Sequence, residues 1–293
     1  MQLIISQTIF ICFITKIGEH ISKTMKEIED ILKEYDSLVR IYHANIGDRM
    51  GKNGLLEYNE VLFSCHSCAI EGNSFSVDET RTLKEKGLGM IPEGKTLLEA
   101  FEMLDHFSAF EYISNNLDKP LNEELLKECH RLLTEHTLSY RTKHDENPSE
   151  PGQYTTLDMC AGDTLFGDHE KLIKRVPSLL ASTQNALDEG LIHPMIIAAK
   201  FHGFFEYLHP FRDGNGRLGR LMTNFILLKK GHPILIIPIE KRSEYITTLK
   251  MIRKEATDEY LVRFFLNTAI ERMQRELKEK EEMTSISDTT DFF

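Results

Sequence analysis

From Ile28 onward the apolar residues of this chain return at intervals of three and four, and that spacing narrows its possible folds more than any other feature. Ile28, Ile31, Leu32, Tyr35, Leu38, Val39 and Tyr42 lay one apolar stripe along a helix. The same spacing predicts helices over residues 55–70, 97–115, 170–187, 194–207 and 243–255, with a further one after Pro120 and a last one over 258–280. Gly47, Gly51 and Gly54 are expected to break the chain between the first two helices, and Gly87, Gly89, Pro92 and Gly94 mark a loop. Pro194 suits a first helical position, where its missing N–H is not needed. Residues 233–238 are too short for a helix and read as buried extended chain. The expected fold class is all-α with at most a small β-hairpin, and 293 residues suffice for a full core.

Between two apolar helical stretches lies a short run of polar residues: His209, Arg212, Asp213, Gly214, Asn215, Gly216, Arg217 and Arg220. Gly214 and Gly216 permit a left-handed backbone and a close approach to a ligand. Backbone N–H groups there open into a helix predicted to run to residue 230, which makes an anion cradle backed by the helix dipole. Arg217 and Arg220, three apart, share a face and could clamp phosphate oxygens. Two arginines at a helix start oppose the dipole, a cost that makes sense when an anion binds. Asp213 is a hard oxygen ligand suited to Mg²⁺, and His209 can take a proton near neutral pH. Base, metal ligand, anion cradle and cation clamp together describe phosphoryl or nucleotidyl transfer. No G-x-x-x-x-G-K-[ST] loop occurs.

Composition narrows the partners. The formal charge is -11, from 46 acidic and 35 basic residues, which argues against a nucleic-acid surface. Cys12, Cys65, Cys68, Cys129 and Cys160 make an odd set without framework spacing, so free thiols in a reducing, cytoplasmic setting are expected. Cys65-His66-Ser67-Cys68 has a C-x-x-C spacing with no second half of a zinc site, and buried cysteine is common core filling. Leu3 to Thr15 is apolar, but it lacks a basic n-region and falls short of the roughly 20 residues of a membrane span. An upstream start explains the stretch, with Met25 after Thr24 as the true one, and a weak export signal is the alternative. No membrane association is expected.

The loop resembles the signature of the Fic family, H-x-F-x-[D/E]-G-N-G-R-x-x-R. His209, Phe211, Asp213, Gly214, Asn215, Gly216, Arg217 and Arg220 match every defined position. The flanking helices and Pro151-Gly152-Gln153-Tyr154 also resemble that family's core, and the similarity runs from Tyr58 to Leu266. It implies transfer of AMP from ATP onto a Tyr, Thr or Ser hydroxyl of a target protein. His209 would be the general base and Phe211 a buried anchor for the loop. Asp213 would hold Mg²⁺, Gly214, Asn215 and Gly216 would cradle phosphate oxygens, and Arg217 and Arg220 would bind the β- and γ-phosphates. Residues 147–167 read as a long loop or hairpin, and Tyr154-Thr155-Thr156 within them resembles the family's target-positioning flap. The match is loose there, since Thr155 stands where many members have arginine. Self-modification and a homodimer are further expectations.

A second segment, Ser67-Cys-Ala-Ile-Glu71-Gly72-Asn73, resembles the family's inhibitory pattern [S/T]-x-x-x-E-[G/N]. Ser67 and Glu71 would share a helical face, and Glu71 would reach Arg220 and hold transfer in check. Removal of AMP from a modified target is the alternative on the same site, with Glu71 positioning a water. Transfer of another nucleotide is a third, although Gly216 stands where kinase-like relatives carry lysine. A non-catalytic nucleotide-sensing regulator is the competing class. The expected organisation is an unassigned segment 1–24, an N-terminal helical unit 25–95, a catalytic core 96–280 and a frayed tail 281–293.

Overall fold

A computed structural model describes residues 26–145, 149–158, 160–161, 164–165, 168–255 and 257–290. The expectation for segment 1–24 lies outside them. The predicted first helix is α1, residues 26–42. It buries Tyr35, Val39 and Tyr42, the stripe that the spacing marked.

The predicted break at Gly47, Gly51 and Gly54 does not occur. A π-helical turn, His43–Gly47, leads directly into α2, Asp48–Ile70. Glycine costs a helix only about 1 kcal/mol relative to alanine, and tertiary packing of α2 outweighs it. Val61, Phe63, Ser64, Ser67, Cys68 and Ile70 are all buried. The helix stops at Gly72, with φ of 105°.

Beyond α2 come α3, Val77–Lys86, and α4, Leu97–Ser114. Each opens on a reciprocal capping box, Ser76 with Glu79 and Thr96 with Glu99. α5, Glu123–Thr134, and a single turn, α6, Leu138–Arg141, follow. Strand pairing among the described residues is one antiparallel ladder between β1, Cys160–Ala161, and β2, Thr164–Leu165. Beyond this ladder the expected small hairpin flap is not seen among the described residues, and Tyr154-Thr155-Thr156 lies outside any strand.

The helix expected over 170–187 divides into α7, His169–Ile173, and α8, Val176–Glu189, the second carrying a proline in its first turn. α9, Pro194–Leu208, and α10, Asn215–Lys229, form the centre of the molecule and pack on each other. Phe201, Phe205 and Leu208 of α9 and Leu218, Leu221, Met222, Phe225 and Ile226 of α10 are buried, as befits central helices. The extended run Ile234 to Ile237 is buried beside them. Asn224 pins it by accepting from Leu235 N at 2.7 Å and donating to Leu235 O at 3.0 Å. α11, Arg242–Glu255, and α12, Glu259–Thr290, close the bundle, with α12 running past Lys280, where the apolar spacing ends. Among the described residues no helix is long and apolar enough to cross a membrane. Cys65 and Cys68 are buried free thiols pointing at backbone carbonyls of Phe75 and Glu102.

Candidate active site

α9 ends abruptly at His209, whose φ of 45° and ψ of 56° are left-handed. That conformation costs a non-glycine residue about 1–2 kcal/mol. It lets the chain reverse at once into the loop that enters α10. Gly214, φ 79°, is the N-cap of α10, and a Cβ there would lie 3.0 Å from Thr134 Cγ2.

Two side chains fix the loop from within. Asn215 Oδ1 accepts from Phe211 N at 3.0 Å, and its Nδ2 donates to Phe211 O at 2.7 Å. The Asn215 amide is thereby committed to shaping the loop, a different task from the phosphate contact expected of it. Phe211 is fully buried and stacks on His130 with ring centroids 3.8 Å apart. His130 Nδ1 accepts from Gly152 N at 2.9 Å, so its proton sits on Nε2, which donates to Asp213 O at 3.0 Å. Burial lowers the His130 pKa to about 4, which keeps the ring neutral for this double role. A third tie runs from Thr155 N to Pro210 O at 2.9 Å.

The two loop arginines do not share an open face. Arg217 is 1% exposed, with Nη1 2.6 Å from Glu102 Oε1 and Nη2 2.8 Å from Asp213 Oδ2. Arg141 joins the same acids, at 2.8 Å to Glu102 Oε1 and 3.5 Å to Asp213 Oδ2. Burial pushes the Asp213 carboxyl up, but Arg217 and Arg141 pull it down further, so the net shift is below the usual carboxylate range. Both ion pairs use Oδ2, and the side chain keeps 28% of its exposure. A single partly exposed carboxylate suits Mg²⁺, which is commonly held by one or two carboxylates plus substrate phosphates.

Arg220 turns the other way, toward the end of α2. Its Nε donates to Ser67 Oγ at 3.0 Å, and its Nη2 donates to Ser67 O and Glu71 Oε1, both at 2.8 Å. Burial works to raise the Glu71 pKa, but Arg220 and then Arg217 prevail and hold it below its ordinary value. The carboxylate lies against the start of α10. A Cβ at Gly216 would collide with Glu71 Oε1 and come within 3.1 Å of Arg220 Nη1. Glycine here leaves room for an oxygen-rich group to approach the backbone.

His209, half-buried, has its pKa lowered to about 4, first by burial and then by Arg253. It is therefore neutral near pH 7 and able to accept a proton. Three residues earlier on α9, the Glu206 side chain is 12% exposed, and its buried Oε1 has no hydrogen-bond partner. Burial raises its pKa to about 7, partly countered by Arg220. Glu102, His130, Arg141 and Glu206 were not legible in the motif. The structure thus gathers Ser67, Glu71, Gly216 and Arg220 into one cluster, and Asp213 and Arg217 into a second.

Residues 120–227 match the model of the Fic/DOC family. Protein adenylyltransferase Fic of Drosophila grimshawi is 32% identical over 221 residues, which are 74% of this chain and 42% of that protein. Protein adenylyltransferase fic-1 of Caenorhabditis briggsae is 28% identical over 229 residues, 78% of this chain and 42% of that protein. This chain therefore spans less than half the length of these relatives. A Fic domain containing signaling protein from Bacteroides thetaiotaomicron has a similar fold, with a TM-score of 0.70 and 22% identity, covering 87% of this chain and 98% of that one. Fic-1 from C. elegans superposes with a TM-score of 0.68 and 24% identity, covering 89% of this chain and 74% of that one.

Proposed function

The chain belongs to the Fic/DOC family, and on that premise we propose that it transfers AMP from ATP to a hydroxyl of a target protein and is held in check by Glu71. The observation that carries this is the Glu71–Arg220 pair, 2.8 Å long, lying across the backbone at Gly216. An internal carboxylate occupies the place that an anion cradle and its cation would offer to a phosphate.

The N-terminus of α10 and the Gly214–Gly216 backbone hold phosphate oxygens of ATP. Arg220, released from Glu71, binds the terminal phosphate. Asp213 is the residue that would hold Mg²⁺, an ion that neutralises phosphate charge. Arg217, with Glu102 and Arg141, keeps the Asp213 carboxylate ionised and in place, so its contribution is chiefly to position that ligand. His209, neutral at physiological pH, takes the proton of the Tyr, Thr or Ser hydroxyl as its oxygen attacks the α-phosphorus, and pyrophosphate leaves. The tie between Thr155 and Pro210 sets the segment before β1 beside the loop, where a target strand would align.

One observation favours a second activity on the same residues. The Glu71 side chain is ionised and 35% exposed beside the cradle, so it could orient a water for removal of AMP from a modified target. Radiolabelled AMP incorporation by purified protein, wild type against Glu71→Gly, tests transfer. Release of AMP from a pre-modified substrate by the same two proteins tests removal.

A further inference from the structure

Outside the loop, three chain segments bring potential metal ligands together. Asp36 lies on α1, His193 immediately precedes α9, and His232 lies in the turn after α10. One ligand atom from each can be chosen so that all lie within 4.8 Å of one another. We propose that Asp36, His193 and His232 form a binding site for a borderline divalent cation of the zinc class, clipping α1 to the two central helices.

Two imidazoles and one carboxylate are a donor set suited to zinc-like ions and unsuited to Mg²⁺, which demands a shell of oxygens. His193 Nε2 is already 3.0 Å from Asp36 Oδ1, and the rings of His193 and His232 have centroids 5.2 Å apart. His232 is held as a metal-ligating histidine is usually held. Its Nδ1 hydrogen-bonds Tyr35 OH at 3.2 Å, and its ring stacks on the Tyr35 ring at 5.7 Å. Such an outer partner fixes the ring and leaves Nε2 as the ligand atom. The site is open on one side: the Asp36 side chain is 43% exposed and that of His193 17%.

Loading requires two small changes. Metal–ligand bonds of roughly 2.0–2.1 Å in tetrahedral geometry set ligand atoms about 3.3 Å apart, so the cluster must draw in. His193 must also change tautomer. Without metal its Nδ1 accepts from Met195 N at 3.1 Å, which leaves the proton on Nε2, facing Asp36. The cation replaces that proton, Nδ1 takes one from solvent, and the helix cap bond is given up. One cap bond is small beside the bonds a structural zinc makes. Three protein ligands leave a position for water.

The test uses tag-free full-length chain stripped with EDTA, titrated with Zn²⁺ against a chromophoric chelator and followed by thermal unfolding. One zinc per chain is expected, with a raised melting temperature and no displacement by Mg²⁺. His232→Ala should abolish the site, and Tyr35→Phe, which removes only the outer partner, should weaken it about 10–100-fold. Asp213→Ala should leave it intact, which separates this site from the one under the proposed function. Should His232→Ala not fold, Asp36→Asn removes the anionic ligand from an exposed position and is expected to lose most of the affinity. Zinc binding undiminished in the ligand variant that folds, or lost in Asp213→Ala and kept in His232→Ala, overturns the proposal.

Discussion

Glu71 Oε1 accepts a hydrogen bond of 2.8 Å from Arg220 Nη2, so the residue that follows α2 meets the second turn of α10 across 149 positions of sequence. The contact joins the segment Ser67 to Asn73 to the loop through one guanidinium. Under the proposed function, ATP and Glu71 compete for Arg220. Arg220→Ala removes the brake and the phosphate ligand together, so it should not raise AMP transfer. The double variant with Glu71→Gly should behave like Arg220→Ala alone. Initial rates of AMP incorporation for the three variants measure this.

The second cluster is a matter of stability. Glu102 and Arg217 are both buried, at 2% and 1% side-chain exposure. Removing Glu102 takes from the buried Arg217 one of its two carboxylates and leaves Asp213, so the cost falls at the low end of the range for breaking a buried pair, about 3 kcal/mol. Glu102→Ala should destabilise the chain by that amount in urea unfolding at pH 7. Adding Arg217→Ala to it should cost less than Arg217→Ala costs alone, and a double variant as unstable as the sum of the two single ones contradicts this.

His130 reports on the loop from the opposite side. His130→Ala leaves the Gly152 N–H and the Asp213 carbonyl without their partner, at about 1–3 kcal/mol for each orphaned buried group. It also removes the ring that stacks on Phe211. A loss of stability with weakened Mg²⁺-dependent nucleotide binding is expected, because Asp213 loses its support. Unchanged nucleotide affinity in a folded variant would show that His130 does not position Asp213.

The pH dependence has two opposing contributions with distinct windows. His130 and His209 have pKa values lowered from 6.5 to about 4. They hold fewer protons folded than unfolded, so their contribution is present above pH 6.5 and is lost as pH falls through the window down to about 4. Glu206 is raised from 4.5 to about 7, so its contribution is present below 4.5 and is lost as pH rises through 7. Glu206→Gln should thus stabilise the chain relative to wild type above pH 7 more than at pH 4.5. Urea midpoints of both proteins across pH 4.5 to 8 decide it, and a constant difference across that range contradicts the burial of an ionisable Glu206.

Most helices were legible because apolar spacing is a local property that packing then exploits, as α9 and α10 illustrate. The loop stood out because His209 to Arg220 concentrate polar residues where the flanking helices are apolar. Gly47, just before α2, and Gly51 and Gly54 within it misled because a break signal is weak, and the buried face of α2 outweighs it. Glu102, His130 and Arg141 looked like ordinary polar positions on amphipathic helices. Their partners in the loop lie 72 to 115 positions away, and spacing carries no information at that range. Arg217 was read as an open phosphate ligand for the same reason, since Glu102 could not be seen beside it. Glu206 lies next to the motif, yet only its burial on α9 makes its carboxyl unusual.

Radiolabelled AMP transfer from ATP by wild type and Glu71→Gly, including onto the protein itself, tests the restraint by Glu71 most directly. Coupling between a regulatory group and a ligand site is typically about 1–3 kcal/mol, so Glu71→Gly should incorporate AMP roughly 5–150-fold faster. Equal incorporation by the two proteins, with ATP bound by both, contradicts the restraint.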